Sequence, residues 1–426
     1  MTKRRACGID FGTSNSTAAV TADGTATLLP LEGDSVVLPS TIFFSFEETH
    51  VRFGRDAVSA YIDGIEGRLM RSLKSVLGSS TMAEKTTIKA QRWSFSEIIG
   101  LYLAQVKHRA EGAAGAALDE VVLGRPVRFV DDDDAADRRA EDELAAIARS
   151  AGFGSVAFQF EPIAAALDYK RGVEREEIAA IVDLGGGTSD FSIVRVSPEG
   201  RRRADRRGDI LANAGVHVGG TDFDRLLSLA RVMPALGYGT PARDKRRTLP
   251  NWAYVELATW HRINFLYGPQ IDARLRSLRQ DAARPELVER LIAIVAERQG
   301  HALASAVEAA KIALSDAERY LLQFALRDGT LEVDLTRADL VEAIKASVDR
   351  IAASLADCRR LAGVPEAAVS CVFLTGGSAL IPFIRDRLTK MLPQARVVQG
   401  DVFGSVGVGL ALDAERKYGK AAARAM

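Results

Sequence analysis

The stretch IVDLGGGTSDFSIV, residues 181–194, decides the fold. An apolar run ends in Asp183, a glycine-rich turn follows at Gly185-Gly186-Gly187-Thr188-Ser189, and Asp190 opens a second apolar run. That reads as a strand, a tight turn and a returning strand. Residues 8–20, GIDFGTSNSTAAV, have the same plan: an apolar run into Asp10, then Phe11-Gly12 and a turn through Thr13, Ser14 and Asn15. A further turn follows each copy, Ala22-Asp23-Gly24 before a strand Thr25 to Leu31, and Ser197 to Gly200. Two Asp-apolar-Gly turns separated by a helix-rich half-chain read as a divergent internal duplication. Two unrelated hairpins are the alternative.

Glycine lets backbone amides approach a phosphate, and Thr or Ser hydroxyls add donors. Both turns have these parts, so Gly12 to Asn15 and Gly185 to Ser189 are expected to face one phosphate chain from opposite sides. Neither fits the GxxxxGK[ST] or the GxGxxG pattern, so a different nucleotide fold is required. Asp10, Asp183 and Asp190 stand at strand ends beside these turns, an arrangement that suits magnesium held by few carboxylates plus phosphate oxygens. Turn capping by each Asp is the alternative. A third turn, Leu374-Thr375-Gly376-Gly377-Ser378, leads into a helix Ile381 to Leu388 and suits the sugar or base end of a nucleotide, although plain strand-to-helix packing uses such turns too.

Helical patterns at Ser96–Glu111, Asp137–Ala151, Asp222–Val232, Arg290–Glu297, Leu303–Leu314 and Arg337–Leu361 alternate with strands at Glu120–Leu123 and Val369–Leu374, giving an α/β chain. Asp131 to Asp134 is read as helix capping rather than a metal site, and the basic run Arg201 to Arg207 as a solvated loop tip. The 426 residues, 47% of them hydrophobic, allow several packed units. The 56 basic and 56 acidic residues cancel, which argues against nucleic acid and membrane surfaces as partners. Cys7, Cys358 and Cys371 are too few and scattered for a disulfide framework. Without a signal-peptide pattern or an apolar run of about 20 residues, a soluble cytoplasmic protein is expected.

Seven segments, in order, resemble the heat-shock protein 70 chaperones of the actin-like ATPase superfamily. GIDFGTSNSTAAV and IVDLGGGTSDFSIV look like the two phosphate loops and VFLTGGSALIPFIRDRL, 372–388, like the adenosine segment. GRPVRF at 124–129, EPIAAALDY at 161–169, GGTDFD at 219–224 and EAAKIALS at 308–315 complete the series. The pattern also resembles truncated bacterial relatives of the YegD type, which consist of the nucleotide-binding part alone. The resemblance implies an α/β, two-lobed actin-like ATPase fold of duplicated ribonuclease-H-like domains with inserted subdomains: lobe I at 1–178 with an insert at about 32–114, lobe II at 179–426 with an insert at about 218–314, and no peptide-binding domain. It also implies ATP/ADP and magnesium as cofactors. Asp10, Asp183 and Asp190 would surround the ion and its waters, and Thr13 and Thr188 would contact phosphates. Lys74, in SLKSVLG, would meet the terminal phosphate, and Glu161 would orient water, with Asp183 and Thr188 joining them in catalysis. Gly12, Ser14, Asn15, Gly185, Gly186, Gly187, Gly219, Gly220, Glu308, Lys311, Ser315, Gly376, Gly377 and Ser378 would line the nucleotide.

The chain departs from the family pattern in four places. Ile312 and Leu380 stand where many members carry adenine-stacking arginines. Pro126 matches the family's switch proline, but Asp134 takes the place of its partner arginine. The segment 233–280, with Trp252 and Trp260, has no counterpart, and its tryptophans are expected in a core rather than at a partner site. With Met426 shortly after GSVGVGLAL, residues 404–412, no peptide-binding domain is expected. The expected function is therefore a slow magnesium-dependent ATPase signalling nucleotide state to a protein client or co-chaperone. A non-hydrolysing ATP-dependent regulatory module is the alternative, followed by a small-molecule kinase or filament-forming relative.

Overall fold

Each Asp-apolar-Gly segment lies in the middle of a mixed sheet. The computed structural model describes residues 5–22, 24–79, 82, 84–130, 133–169, 175–198, 206–268, 270–327, 329–399 and 404–419. In the first sheet Ala6–Phe11 pairs antiparallel with Asn15–Ala22, which pairs antiparallel with Thr25–Leu28. On its other side Ala6–Phe11 runs parallel to Glu120–Arg125, and that strand parallel to Ser155–Phe160. The second sheet repeats this order with Glu177–Leu184 at its centre. Ser189–Val196 and Ile210–Val216 follow antiparallel on one side, Val369–Thr375 and Arg396–Gln399 parallel on the other. The same path of antiparallel and parallel neighbours in both halves is the expected duplication. Register carries it to single residues: Asp10 lies opposite Thr17, and Asp183 opposite Asp190.

The helix Glu161–Tyr169 leaves the last strand of the first sheet, and Ser405–Tyr418 follows the last strand of the second. They pack against each other between the sheets, in a core where Ile163, Ala164 and Ala166 meet Val406, Leu410 and Ala414, with Val122, Ile181 and Phe373 from the strands. Small residues make this approach feasible: a Cβ on Gly409 would stand 1.8 Å from the Ala164 carbonyl oxygen. Asp413, 1% exposed, accepts from Gln159 at 3.1 Å and pairs with Lys417 at 2.8 Å, tying the C-terminal helix to the first sheet.

Smaller elements ride on each half. In the first half, the strands Thr41–Ser45, Val51–Phe53 and Gly67–Arg71 carry the helix Gly54–Ile62. The long helix Phe95–Ala114 starts from a capping box in which Ser94 and Glu97 satisfy each other's backbone amides. In the second half the helix expected at Asp222–Val232 is an α-helix, Gly220–Leu227, continued by one π turn, Ser228–Val232. A hairpin, Arg319–Leu326 with Gly329–Thr336, precedes the helix Arg337–Leu361. The segment 233–280 folds into short helices within the core of this half, through Met233, Leu236, Tyr254, Leu257 and Leu266. Trp252 packs on that core as expected, beneath Arg274 at 3.8 Å, whereas Trp260 faces the first half.

Asp133 caps its helix, accepting from Ala135 and Ala136 at 3.0 and 2.9 Å, while Asp131 and Asp132 lie outside the described residues. So do residues 201–205 of the basic run; Arg206 is buried against Asp209 at 2.7 Å. Among the described residues no helix is long and apolar enough to cross a membrane.

Candidate functional site

The two glycine turns face each other across the junction of the sheets. A Cβ on Gly186 would stand 2.3 Å from Ser14 Oγ, so only glycine admits the first turn so close. Backbone groups fix the turns. Gly220 N donates to Gly185 O at 3.0 Å, and Thr221 donates to Gly186 O at 2.8 Å through both its amide and its hydroxyl. Ser40 holds the first turn, donating from Oγ to Gly12 O at 2.7 Å and from N to Ser14 O at 2.8 Å.

Four carboxylates gather around one ammonium beside these turns. Lys74 lies in the short helical turn Leu73–Val76, behind Ser72 in the left-handed region at φ 59. Its Nζ donates to Glu161 Oε1 at 2.5 Å, with side chains 10% and 18% exposed. Glu161 is the first residue of its helix, followed by Pro162, a placement the helix dipole favours. Burial opposes the charge on Lys74, but Glu161, Asp10 and Asp183 outweigh it and hold the pKa above the ordinary lysine value. Burial and Glu161 push Asp10 up against the pull of Lys74. Asp183 rises to about 8 through burial, Asp190, Glu161 and Asp10. Burial also raises Asp190, against a hydrogen bond that its Oδ2 accepts from the Thr188 hydroxyl at 2.9 Å.

This cluster carries more negative charge than Lys74 can neutralise, so it has room for a cation. Among the described residues no three His, Cys, Asp or Glu side chains converge closely enough to ligate an ion directly. Carboxylate oxygens are the donor type that a hard cation such as magnesium takes.

Farther along the cleft, Lys311 Nζ donates to Gly220 O at 3.2 Å and pairs with Asp224 at 2.8 Å. Ser378 Oγ donates to Gly185 O at 3.4 Å, which brings the third glycine turn over the second. Gly376 makes this possible: its φ is 82, and a Cβ there would lie 2.3 Å from Leu184 O. Glu308 shares a cavity with Arg71, Thr221 and Asp224. Ser315 lies one helical turn beyond Lys311, its carbonyl accepting from Arg337 at 3.4 Å. Ile312 and Leu380 are 58% and 40% exposed, on the two elements that Lys311 and Ser378 bring to this end.

The structure thus gathers Gly12, Ser14, Asp10, Lys74, Glu161, Asp183, Gly185, Gly186, Thr188, Asp190, Gly219, Gly220, Lys311 and Ser378, with Thr13, Asn15, Gly187, Gly376 and Gly377 carried on the same turns. Sequence reasoning missed Asp224 and Arg71. Burial, with Glu308, raises Asp224 to about 6 against the pull of Lys311. It stands in GGTDFD, where its spacing from Gly220 was the available signal; Arg71 carried none. Asp134 pairs with Arg128 at 2.8 Å on the surface, and the cation beside Pro126 is the buried Arg125, held by Asp137 at 2.7 Å and by Glu141.

The family model described as Hsp70 protein matches residues 6–230 and 289–424. The chain belongs to the Hsp70 family. Its fold is accordingly the α/β, two-lobed actin-like ATPase fold, and the duplicated sheets are that fold's two cores. The match passes over 231–288, the region of Trp252 and Trp260. The chain is 26% identical to a chaperone protein HscA homolog of Methylibium petroleiphilum, over 98% of this chain and 59% of that protein. It is 28% identical to the chaperone protein HscA of Serratia proteamaculans, over 97% of this chain and 58% of that one. It therefore spans less than two thirds of the length of these relatives.

Proposed function

We propose that this chain binds ATP with magnesium between lobes 1–178 and 179–426, hydrolyses it slowly, and presents the resulting lobe closure to a separate protein acting as client or co-chaperone. The observation that carries this reading is the contact of Ser14 with Gly186, two glycine turns closed on each other beside Asp10, Lys74, Glu161, Asp183 and Asp190.

In this reading the two turns supply backbone amides and the hydroxyls of Thr13, Ser14 and Thr188 to the phosphates, so both lobes grip one ligand. Bound magnesium would neutralise charge on the phosphate oxygens. Lys74 adds a second positive charge toward the terminal phosphate, and Glu161, hydrogen-bonded to it, is placed to align the attacking water. Alignment and charge neutralisation are the main tasks of phosphoryl transfer. Glu308, Lys311 and Ser315 take the ribose end and Gly376 to Ser378 the base. With apolar Ile312 and Leu380 nearby, the base is gripped without a cation over its face. Family membership supports the nucleotide, and names such as HscA support a chaperone setting.

Titration calorimetry with ATP and ADP, with and without magnesium, tests the site. Saturable binding that weakens at least about tenfold in Gly186→Val, whose side chain would displace Ser14, is expected. Binding unaffected by that substitution, or no binding by the unaltered chain, would overturn the assignment.

A further inference from the structure

The segment that the family match passes over carries a charge surplus of its own. Residues 231–288 hold ten basic and five acidic side chains, in a chain whose 56 basic and 56 acidic residues cancel. We propose that the loop 240–249 within it docks an acidic segment of the partner protein through Arg243, Lys245 and Arg246, which rests on the reading above that a separate protein is the partner.

The loop is fixed at both ends and across its middle. Ala242 and Leu249, 2% and 4% exposed, anchor it in the core of the second half, while residues 243–248 between them are all exposed. Leu249 N donates to Thr240 O and Lys245 N to Ala242 O, both at 2.9 Å, and Ala242 N donates to Arg247 O at 2.8 Å. Lys245 completes the turn in the left-handed region at φ 56. The helix Ile271–Asp281 holds the loop from one side, Arg243 N donating to Asp281 O at 2.7 Å.

On this frame the charges do not balance. Arg247 faces both nearby carboxylates, Asp244 at 3.6 Å and Asp281 at 3.2 Å. Asp244 also accepts from Arg246 N at 3.0 Å, a bond to the backbone that leaves the Arg246 guanidinium out of the pairing. Among the described residues Arg243, Lys245 and Arg246 have no ion-pair partner; Arg243 only lends its Nε to the Ala282 carbonyl at 3.4 Å. Three uncompensated cations fixed within four residues are a pattern that the carboxylates of an extended peptide can meet, and the pinned backbone removes the cost of ordering the loop on binding. Nucleic acid fits less well. Three cations fall short of the roughly six to ten phosphate contacts of a strongly salt-dependent interface, and the chain as a whole has no positive surplus. No residue of the loop lines the cavity of Arg71, Asp224 and Glu308, so docking here is separate from the nucleotide.

The test is fluorescence anisotropy, with the full chain titrated into a fluorescein-labelled peptide of about six consecutive glutamates and into the same peptide with glutamine in their place. Saturable binding of the glutamate peptide alone is expected at low salt, weakening severalfold as salt rises to about 0.15 M and the Debye length shortens to about 8 Å. Lys245→Asn, which suits the left-handed backbone, and Arg246→Gln should each weaken binding about threefold and together about tenfold. Arg246→Lys keeps the charge and should hold the affinity within about twofold. No binding of the glutamate peptide at low salt, equal binding of both peptides, or an affinity unchanged within about 1.5-fold in the double variant would overturn the docking loop. So would tighter binding of single-stranded RNA than of the glutamate peptide. ATP binding, read separately by calorimetry, should be the same in the double variant as in the unaltered chain; failure of the unaltered chain to bind ATP would overturn the nucleotide site and leave the docking loop standing.

Discussion

Asp183→Asn should make the ligand-free protein more stable. Asp183 enters the folded state near Asp190, Glu161 and Asp10, with Lys74 the one opposing charge acting on it, and its pKa climbs from 3.8 to about 8. A carboxyl whose folded pKa is raised binds a proton that the unfolded chain releases, so its contribution to stability falls as pH rises from 3.8 toward 8. At 1.36 kcal/mol per pH unit, the interval from 3.8 to neutrality sets a ceiling of about 4 kcal/mol, and relaxation around a partly accessible carboxyl brings the expected gain to about 2–4 kcal/mol. Asparagine keeps the shape and avoids the cost. Urea denaturation in chelator, without nucleotide, should show this gain at pH 7 and only about 1 kcal/mol at pH 5. In the presence of magnesium and ADP the gap should narrow by up to about 2.7 kcal/mol at a hundredfold excess over Kd, since the unaltered chain gains more binding energy than the variant. A variant less stable than the parent in chelator, or a gain that grows toward low pH, would refute the electrostatic reasoning.

Two further outcomes test the packing. Gly409→Ala places a methyl group 1.8 Å from the Ala164 carbonyl oxygen, so the two central helices must separate; a loss of about 2 kcal/mol or more in urea denaturation is expected, and Ala164→Gly should not restore it because the clash is with backbone. Burial lowers His301 from 6.5 to about 4, so the unfolded chain takes up the proton first and stability is lost as pH falls through that interval. Relative to His301→Gln, the unaltered chain should lose about 2 kcal/mol between pH 7 and pH 5, read from paired urea midpoints.

What could be read from the chain alone was whatever is written locally. Asp10-Phe11-Gly12 and Asp183-Leu184-Gly185 announce a strand end and a turn in three residues, and their sheets share one topology. The helix Arg337–Leu361 was legible from its own period and keeps those bounds. Lys74 is different: as an isolated lysine it carries no signal, and only the resemblance pointed to it, whereas in the structure burial and Glu161 single it out. The hairpin Arg319–Leu326 with Gly329–Thr336 was missed because LLQFAL does not alternate cleanly, although Leu331, Val333 and Leu335 alternate with Glu332 and Asp334 on its partner strand. The contact of Tyr61 with Asn264 was illegible for a stronger reason. Tyr61 and Asn264 are 203 residues apart and meet only when both halves are folded. Trp260, expected in a core, proved to face the opposite half.

The central claim is that the two facing turns bind ATP and that the carboxylate cluster with Lys74 carries its hydrolysis. The most direct measurement is single-turnover conversion of ATP to ADP by the full chain, with magnesium and with chelator, for the unaltered protein and Asp183→Asn. Magnesium-dependent ADP formation that Asp183→Asn slows at least about a hundredfold is predicted, the size of effect expected for losing a group that acts on the transition state. Tight ATP binding with no ADP formed, or hydrolysis at the same rate in Asp183→Asn, would contradict it.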